Sequence, residues 1–567
     1  MFHNRDLVLH LAQIVLLQPE AILELEALAT HQEVIVVEAQ VVEVMVVEDQ
    51  AVVEEDNSKF INSKIIAMKK ILTCLFFCAS FSQIFAQETT PEDALRLSVE
   101  NLTGTARFRS MSGAFGALGG DLSAINQNPA GSVFFNNNFG SITGSVFNTK
   151  NSSTYFGTKT KDNDTTLDLN QAGVVFVFND NSGKTDWKKI ALAFNYDNTN
   201  NFGNSIFSKG TNPYNSIGNY FVDIAQGIPL NVLTDYDFYQ LNFYEQQAYL
   251  GYDTYIFEAN DNIPSNTGYY TNIPLGGNYY QENSLSTSGY NGKLTANFAT
   301  TYKDFLSLGM NLNFHFVDII KTSSVYESNT NPIYDSGSTI SELLFENQLS
   351  TIGSGFSFSL GTIVKATDFL RFGLSYDSPT WYRLTDELTQ GVATHSINNQ
   401  DGNEFPTSYQ PTIQYAPYKI QTPSKWTGSV ALIFGKRGLL SADVSTKDYS
   451  TTRFKPKNDF QDLNTFMSNA LDNAIEVRLG GEYKIKQFSL RGGYHFDQSP
   501  YKTDVTFGDL TGYSGGIGYS FGESKLDLAY NYEHRKMNQL LVTSGMTDPA
   551  RVSRYNNNVT ITYSVNF

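Results

Sequence analysis

Cysteine is almost absent from this 567-residue chain, and both of its cysteines, Cys74 and Cys78, fall inside "MKKILTCLFFCASFSQIFAQ". There Lys69 and Lys70 precede an apolar core from Ile71 to about Phe85, and Ala86 precedes Gln87. That is the build of a secretory signal peptide, starting at Met68 and cleaved after Ala86. A chain exported from Gln87 onward holds no cysteine, so it uses neither disulfides nor thiol chemistry in an oxidising compartment. Charge is scarce too, at 17% of residues against about 25% in soluble domains. No apolar run approaches the ~20 residues of a membrane-spanning helix, which excludes a helical membrane protein. His/Cys spacing of the metal-binding kind is missing. A net charge of −18 argues against nucleic acid as a partner.

What the chain does have is aromatics, 33 Tyr and 41 Phe, and a pattern of period two. The last twelve residues, "NNNVTITYSVNF", show it plainly: Val559, Ile561, Tyr563, Val565 and Phe567 alternate with polar residues up to the final aromatic. Such alternation marks a strand with one apolar and one polar face. Strands of this kind are expected near 139–148, 170–179, 187–197, 289–301, 305–320, 347–365, 369–384, 424–435, 438–450, 474–485, 487–497, 510–521, 524–537 and 552–567, fourteen in all. In "LSLGMNLNFHF" the apolar face carries Leu306, Leu308, Met310, Leu312, Phe314 and Phe316. In "IEVRLGGEYKI" it carries Ile475, Val477, Leu479, Tyr483 and Ile485, with Glu476, Arg478, Glu482 and Lys484 opposite.

A soluble sandwich and a transmembrane barrel share that periodicity, and the connections separate them. Links after even-numbered strands are short, such as "YKD", "ATD", "GKR", "KIK" and "GES". Links after odd-numbered strands are long, beginning with 149–169, 198–288, 321–346 and 385–423. Strict alternation of short and long connections is the outer-membrane pattern of periplasmic turns and extracellular loops. The fold expected is all-β: a fourteen-stranded antiparallel transmembrane barrel in the outer membrane of a Gram-negative cell.

The organisation expected is therefore a spurious upstream extension at 1–67, a signal peptide at 68–86, a segment at 87–138 that does not alternate, and the barrel at 139–567 with its long loop at 198–288. The first part is a low-complexity alternation of Val and Glu, "VIVVEAQVVEVMVVEDQAVVEE", that would bury the export signal inside the chain. In the third, "PEDALRLSVENL" has helical spacing, and "SMSGAFGALGGDLSAINQNPAG" is rich in Gly and Ala.

Taken together, the signal peptide, the Gly/Ala-rich segment ending in "NQNPAG", the fourteen strands and the terminal Phe resemble the FadL-type outer-membrane transporters of long-chain fatty acids and other hydrophobic compounds. The resemblance covers residues 87–567. Its most specific element is Asn128, Pro129 and Ala130, matching that family's NPA motif. It implies that 87–138 is a hatch plugging the lumen, and that ligand passes from an extracellular apolar site into the lumen. Ligand then leaves sideways beside a kinked third strand, here "KIALAFNYDN". It also implies that Tyr563 and Phe567 belong to a signal read by the barrel-assembly machinery. The remaining partners are a hydrophobic ligand and membrane lipid, with the barrel a monomer and no cofactor.

Residue chemistry supports the same sites. Gly113, Gly116, Gly119 and Gly120 permit close backbone approach in a narrow lumen; a phosphate loop would need a following Lys-Ser/Thr and a strand-to-helix context. Asn128 before Pro129 favours an extended or turn conformation where plug gives way to barrel. Tyr220, Phe221, Ile224, Phe243, Tyr244, Tyr249 and Leu250 concentrate in the long loop, as a ligand-capture site would; alternatively they pack the loop's own helices. An enzyme is not expected: His315 and His495 point into the lumen without a nucleophile signature. Haem uptake and a structural or adhesive barrel are the alternatives. The export reading predicts that sequencing the protein from outer membranes begins at Gln87; peptides from 1–67 in that fraction would overturn it.

Overall fold

In "LSLGMNLNFHF" the alternation becomes an inside-out strand. Leu308, Met310, Leu312 and Phe314 are between 38% and 53% exposed, whereas Ser307, Asn311, Asn313 and His315 are buried. The same holds for Ile475, Leu479 and Tyr483 against Glu476, Arg478 and Glu482. An apolar exterior around a polar interior is stable only where the surroundings are hydrocarbon, as they are for an outer-membrane barrel.

The computed structural model describes residues 90–180, 182, 184–398, 404–503 and 506–567. The upstream extension and the signal peptide, with both cysteines, lie outside the described residues. The barrel strands are β1 (Phe139–Tyr155), β2 (Thr158–Asn179), β3 (Trp187–Asn201, continued by Asn204–Asn212), β4 (Tyr279–Tyr302), β5 (Leu306–Ser328), β6 (Ser338–Lys365) and β7 (Leu370–Asp377, continued by Trp381–Asn398). They continue as β8 (Lys425–Phe434), β9 (Gly438–Asp448), β10 (Asn473–Ile485), β11 (Phe488–Asp497), β12 (Phe507–Ser520), β13 (Ser524–Gln539) and β14 (Ala550–Asn566). Each pairs antiparallel with its neighbours, and β14 returns to β1 in a register running from Phe139↔Asn566 to Thr154↔Arg551. The barrel is closed with fourteen strands, as the alternation predicted. Closure satisfies the backbone groups that hydrocarbon cannot.

The strands reach further outward than the alternation did. The stretch 149–169, expected as a loop, continues β1 and β2 to a two-residue turn at Phe156–Gly157. The stretch 385–423 contains the outer end of β7 and three short strands paired back onto it. Above the membrane both faces of a strand meet water, so period two carries no hydropathy contrast, as "TKTKDNDTT" at 158–166 shows.

The 198–288 segment is likewise no simple loop. After the outer part of β3 it builds a cap of short helices and the two-stranded sheet Phe257–Ala259/Tyr269–Thr271. Inside the barrel, residues 90–138 run as helix α1 (Pro91–Ser98), helix α2 (Ala106–Ser110), helix α3 (Ala124–Gln127) and a 3-10 turn at Pro129–Phe134. The helix expected in "PEDALRLSVENL" is α1, with Ala94, Leu95 and Leu97 buried.

Phe567 is tied to the foot of the first strand. Its N–H donates to the Asn138 carbonyl at 3.0 Å, and its ring meets Phe176 edge-on at 6.3 Å between centroids on the lipid side. Deleting Phe567 is expected to lower the amount of inserted, heat-modifiable barrel; undiminished insertion would refute an assembly role.

Candidate functional site

The hatch is attached to the wall around the whole circumference. Ala106 N–H donates to Thr562 Oγ1 (2.7 Å), and Phe115 and Gly116 N–H both donate to the Asp443 carboxylate (3.0 Å each). The Ile125, Gln127 and Pro129 carbonyls accept from Asn311, Ser375 and Asn297 at 2.7–2.9 Å. Arg107 pairs with Glu482 at 3.0 Å, which Arg491 also holds at 2.6 Å. Higher up, Glu100 lies between Lys425 (2.5 Å) and Lys447 (3.3 Å).

Asn128 is the joint of this plug. Its amide donates to the Gly116 carbonyl (2.7 Å) and to the Thr362 carbonyl of β6 (3.0 Å), while its Oδ1 accepts from Ala130 N–H (3.1 Å). One side chain therefore ties two passes of the hatch to each other and to the barrel. Pro129 follows at the first position of the 3-10 turn, where its missing N–H costs nothing. Ala130 is fully buried. Gly119 and Gly120 have φ of +64° and +66°, which turns the chain beneath the plug.

The sequence reading missed the other half of this seat, which is made of wall glycines. A Cβ on Gly309 or Gly361 would overlap Asn128–Ala130, and one on Gly373 would overlap the Gly116 backbone. Gly480, Gly493 and Gly516, on adjacent strands, leave room for Ser110–Ser112. The signal was present in "LGGEYK", "RGGYHF" and "SGGIGY", since glycine inside a strand often marks another backbone close by.

The cap residues are brought together, but inward. Tyr220, Phe221 and Leu250 are buried in one core with half-buried Ile224 and Tyr249, and that core includes Val325, Phe345 and Val392 of the barrel strands. Phe221 meets Phe345 at 5.2 Å. Phe243 packs separately with Leu388 and Tyr415. Tyr244, 64% exposed, is the member of the set that faces outward. Burial raises the Tyr249 hydroxyl pKa, with Asp253 and Asp237 adding to it, so this part of the cap contributes no phenolate. The buried histidines are engaged: His315 with Ser357 (3.0 Å) and Tyr382 (3.3 Å), His495 with Ser112 (3.3 Å) and Glu533 (3.6 Å). Among the described residues no group of His, Cys, Asp or Glu is arranged to hold a metal.

The wall itself is interrupted once in a way that matters. Pairing of β2 with β3 runs from Asn179↔Lys189 to Gln171↔Asp197 and ends there. Beyond it, Thr158–Leu169 of β2 pair only with β1, and the outer part of β3 pairs only with β4. Side chains span this seam instead of backbone rungs: Asn201 reaches Asp168 (3.0 Å) and Thr166 (3.1 Å), and Ser205 reaches Asp162 (2.5 Å). Leu167 and Leu169 on the unpaired stretch of β2 remain exposed. Inside the seam, a cavity of about 230 Å³ is lined by Asn200–Asn204 together with α1 and β13.

A closed fourteen-stranded barrel, polar within, plugged by its own N-terminal segment and lacking backbone rungs along one seam, defines an outer-membrane passage protein. The chain belongs to the outer membrane protein transport protein family (OMPP1/FadL/TodX), whose model matches residues 244–567. No curated protein matches it. Among solved structures it is similar to a Pseudomonas aeruginosa FadL homologue (14% identity, TM-score 0.45, 83% of this chain and 100% of that one). It is also similar to the Pseudomonas putida toluene transporter TodX (15%, 0.43, 83% and 100%) and to the CymD monoaromatic hydrocarbon channel (12%, 0.42, 83% and 99%).

The geometry of Asn128 makes a prediction. Asn128→Ala removes two donors and one acceptor at a buried joint, each bond contributing about 1 kcal/mol net. Liposomes carrying that variant are expected to leak small ions above the native level while the barrel stays heat-modifiable. Gly361→Val, which forces the same joint apart, should act in the same direction; native-level leak in both would refute the role.

Proposed function

We propose that the protein passes hydrophobic small molecules, long-chain fatty acids among them, through the outer membrane without an energy source, and releases them sideways at the inner end of the β2–β3 seam, where the last rung, Gln171↔Asp197, is followed by the outward-facing Leu169 and Leu167. The observation that carries this reading is the loss of backbone pairing at the seam beside an internal cavity, while the straight path to the periplasm is filled by a hatch bonded to the wall on every side. Side-chain hydrogen bonds across the seam separate at about 0.5–1.5 kcal/mol each, without breaking a ladder. The NPA joint is the element whose loosening lets the hatch shift, and the cap is where ligand first meets the protein, at the surface presented by Tyr244.

The rival readings are poorly supported by the geometry. A water-filled porin needs an open lumen, and this one is packed with hatch. Haem uptake needs a histidine with a free ring nitrogen; His315 has both nitrogens hydrogen-bonded, to Ser357 and Tyr382, while His495 has Nδ1 bonded to Ser112 and Nε2 facing Glu533 at 3.6 Å.

Because residues 87–567 contain no cysteine, the seam can be locked selectively. Asp168→Cys with Asn201→Cys places a thiol pair where two side chains already meet. Oxidation is expected to reduce uptake of labelled palmitate by at least tenfold, and reduction to restore it. Undiminished uptake by the oxidised, fully cross-linked barrel would defeat lateral release.

A further inference from the structure

Beneath the hatch, at the periplasmic mouth of the barrel, lies a space of about 840 Å³. Its roof is the hatch backbone at Leu118–Gly120 and Val133–Asn137, and its sides are the inner ends and short turns of the strands. The chain as a whole has a net charge of −18, yet only two carboxylates line this space, Glu482 and Asp527. Both are already taken: Glu482 by Arg107 of the hatch (3.0 Å) and by Arg491 (2.6 Å), Asp527 by the other arm of Arg491 (2.6 Å). Six further cations face the same space: Lys189 of β3, Arg371 of β7, Lys436 of the β8–β9 turn, Lys484 of β10, Lys486 of the β10–β11 turn and Lys525 of β13. Lys484 shares Glu482 at 3.5 Å, and among the described residues the other five have no carboxylate within 4.0 Å. Lys189 and Arg371 donate to the Val133, Phe135 and Leu118 carbonyls of the hatch. Lys436, Lys486 and Lys525 stand exposed.

A lysine on a convex surface is satisfied by water. Cations gathered in a concavity repel one another and focus a positive potential into it, which raises the local concentration of anions. Carboxylates are abundant in this chain, and at this mouth they are outnumbered, so the compensating charge comes from outside. The volume falls within the ~300–1,000 Å³ of sites that take a drug-sized ligand, far more than one phosphate or carboxylate fills. The cations stand on strands from β3 round to β13, so a single small ion reaches few of them, whereas a run of carboxylates on an extended peptide reaches several. Asn136 and Asn137, exposed in the same space, add amides that donate to and accept from a peptide backbone. Lipid headgroups lie outside the wall, while these side chains share their space with the hatch.

We propose that the periplasmic mouth is a docking site for an acidic segment of a periplasmic protein, with its carboxylates received by Lys436, Lys484, Lys486 and Lys525 and its backbone by Asn136 and Asn137. The site is separate from the seam and from the passage of cargo. Arg107 and the carbonyls held by Lys189 and Arg371 bring the hatch into it, so the partner meets the plug and the wall together.

The test uses the mature chain in nanodiscs of neutral phosphatidylcholine, with fluorescein-labelled hexaglutamate as the probe and anisotropy as the readout. Hexaglutamate is expected to bind, and to bind more weakly as ionic strength rises. Lys436→Glu with Lys525→Glu should weaken binding about tenfold. Lys159→Glu with Lys161→Glu makes the same change of charge at exposed positions of β2 on the opposite side of the membrane, and should leave binding within about twofold of native. Heat-modifiability establishes that each variant is folded. Absence of binding to the native barrel, or equal loss in the two pairs, would overturn the proposal. Displacement of hexaglutamate by an equal concentration of pyrophosphate or of soluble dihexanoylphosphatidylglycerol would overturn it as well, the first in favour of a small-anion site and the second in favour of a lipid headgroup. Binding is read here without transport, so its loss leaves seam-dependent palmitate uptake untouched, and uptake that ignores the locked seam leaves the docking site standing.

Discussion

Every backbone amide of a strand in hydrocarbon must find a partner within the protein, and the rest of this structure follows from that requirement. It forces β14 onto β1, and it brings the C-terminal Phe567 N–H to Asn138 at the foot of the first strand. It also gives meaning to the single seam. Backbone pairing between β2 and β3 is given up only where Asn, Asp, Ser and Thr side chains take over the bonding. There the wall is held together by side-chain hydrogen bonds beside an internal space.

The plug obeys a second constraint, that of volume. The lumen of a fourteen-stranded barrel is wide enough for a polypeptide but leaves little margin, so hatch and wall meet backbone to backbone. Glycines on both sides remove the side chains that would keep them apart. Polar side chains of the wall then satisfy the hatch carbonyls and amides that no regular secondary structure satisfies, in line with the general rule for buried polar groups. Asn128 belongs to this scheme from the hatch side and Asp443 from the wall side. The plug is thus held by many separate polar contacts and by apolar clusters shared with the wall, such as Phe108, Met111 and Phe115 with Ala431, and Leu122, Ile125 and Val133 with Val175, Ala193 and Ala299.

Outside the membrane the logic reverses. The cap buries Tyr220, Phe221 and Leu250 among themselves and against Phe345 and Val392 of the barrel. Aromatic richness in the long loop is compatible with a ligand-capture patch and equally with packing of the loop's own helices. Most of that surface is the core of a small folded unit, because water surrounds it and its own residues are its nearest apolar partners. Composition alone cannot say which neighbours an aromatic residue finds.

The sequence by itself determined the class of fold. Alternation within strands such as Leu306–Phe316 follows from a wall with lipid outside and a polar lumen inside, and the rhythm of short and long connections follows from strands that turn back on alternate sides of the membrane. It also marked Asn128–Ala130 as a turn, where a proline and an amide side chain constrain the backbone directly. Only the tertiary structure decided where the seam lies and which wall glycines receive the hatch. Those relations join residues hundreds of positions apart through closure of the barrel. A local pattern records which way a side chain faces, but the neighbour it meets is set by register and closure.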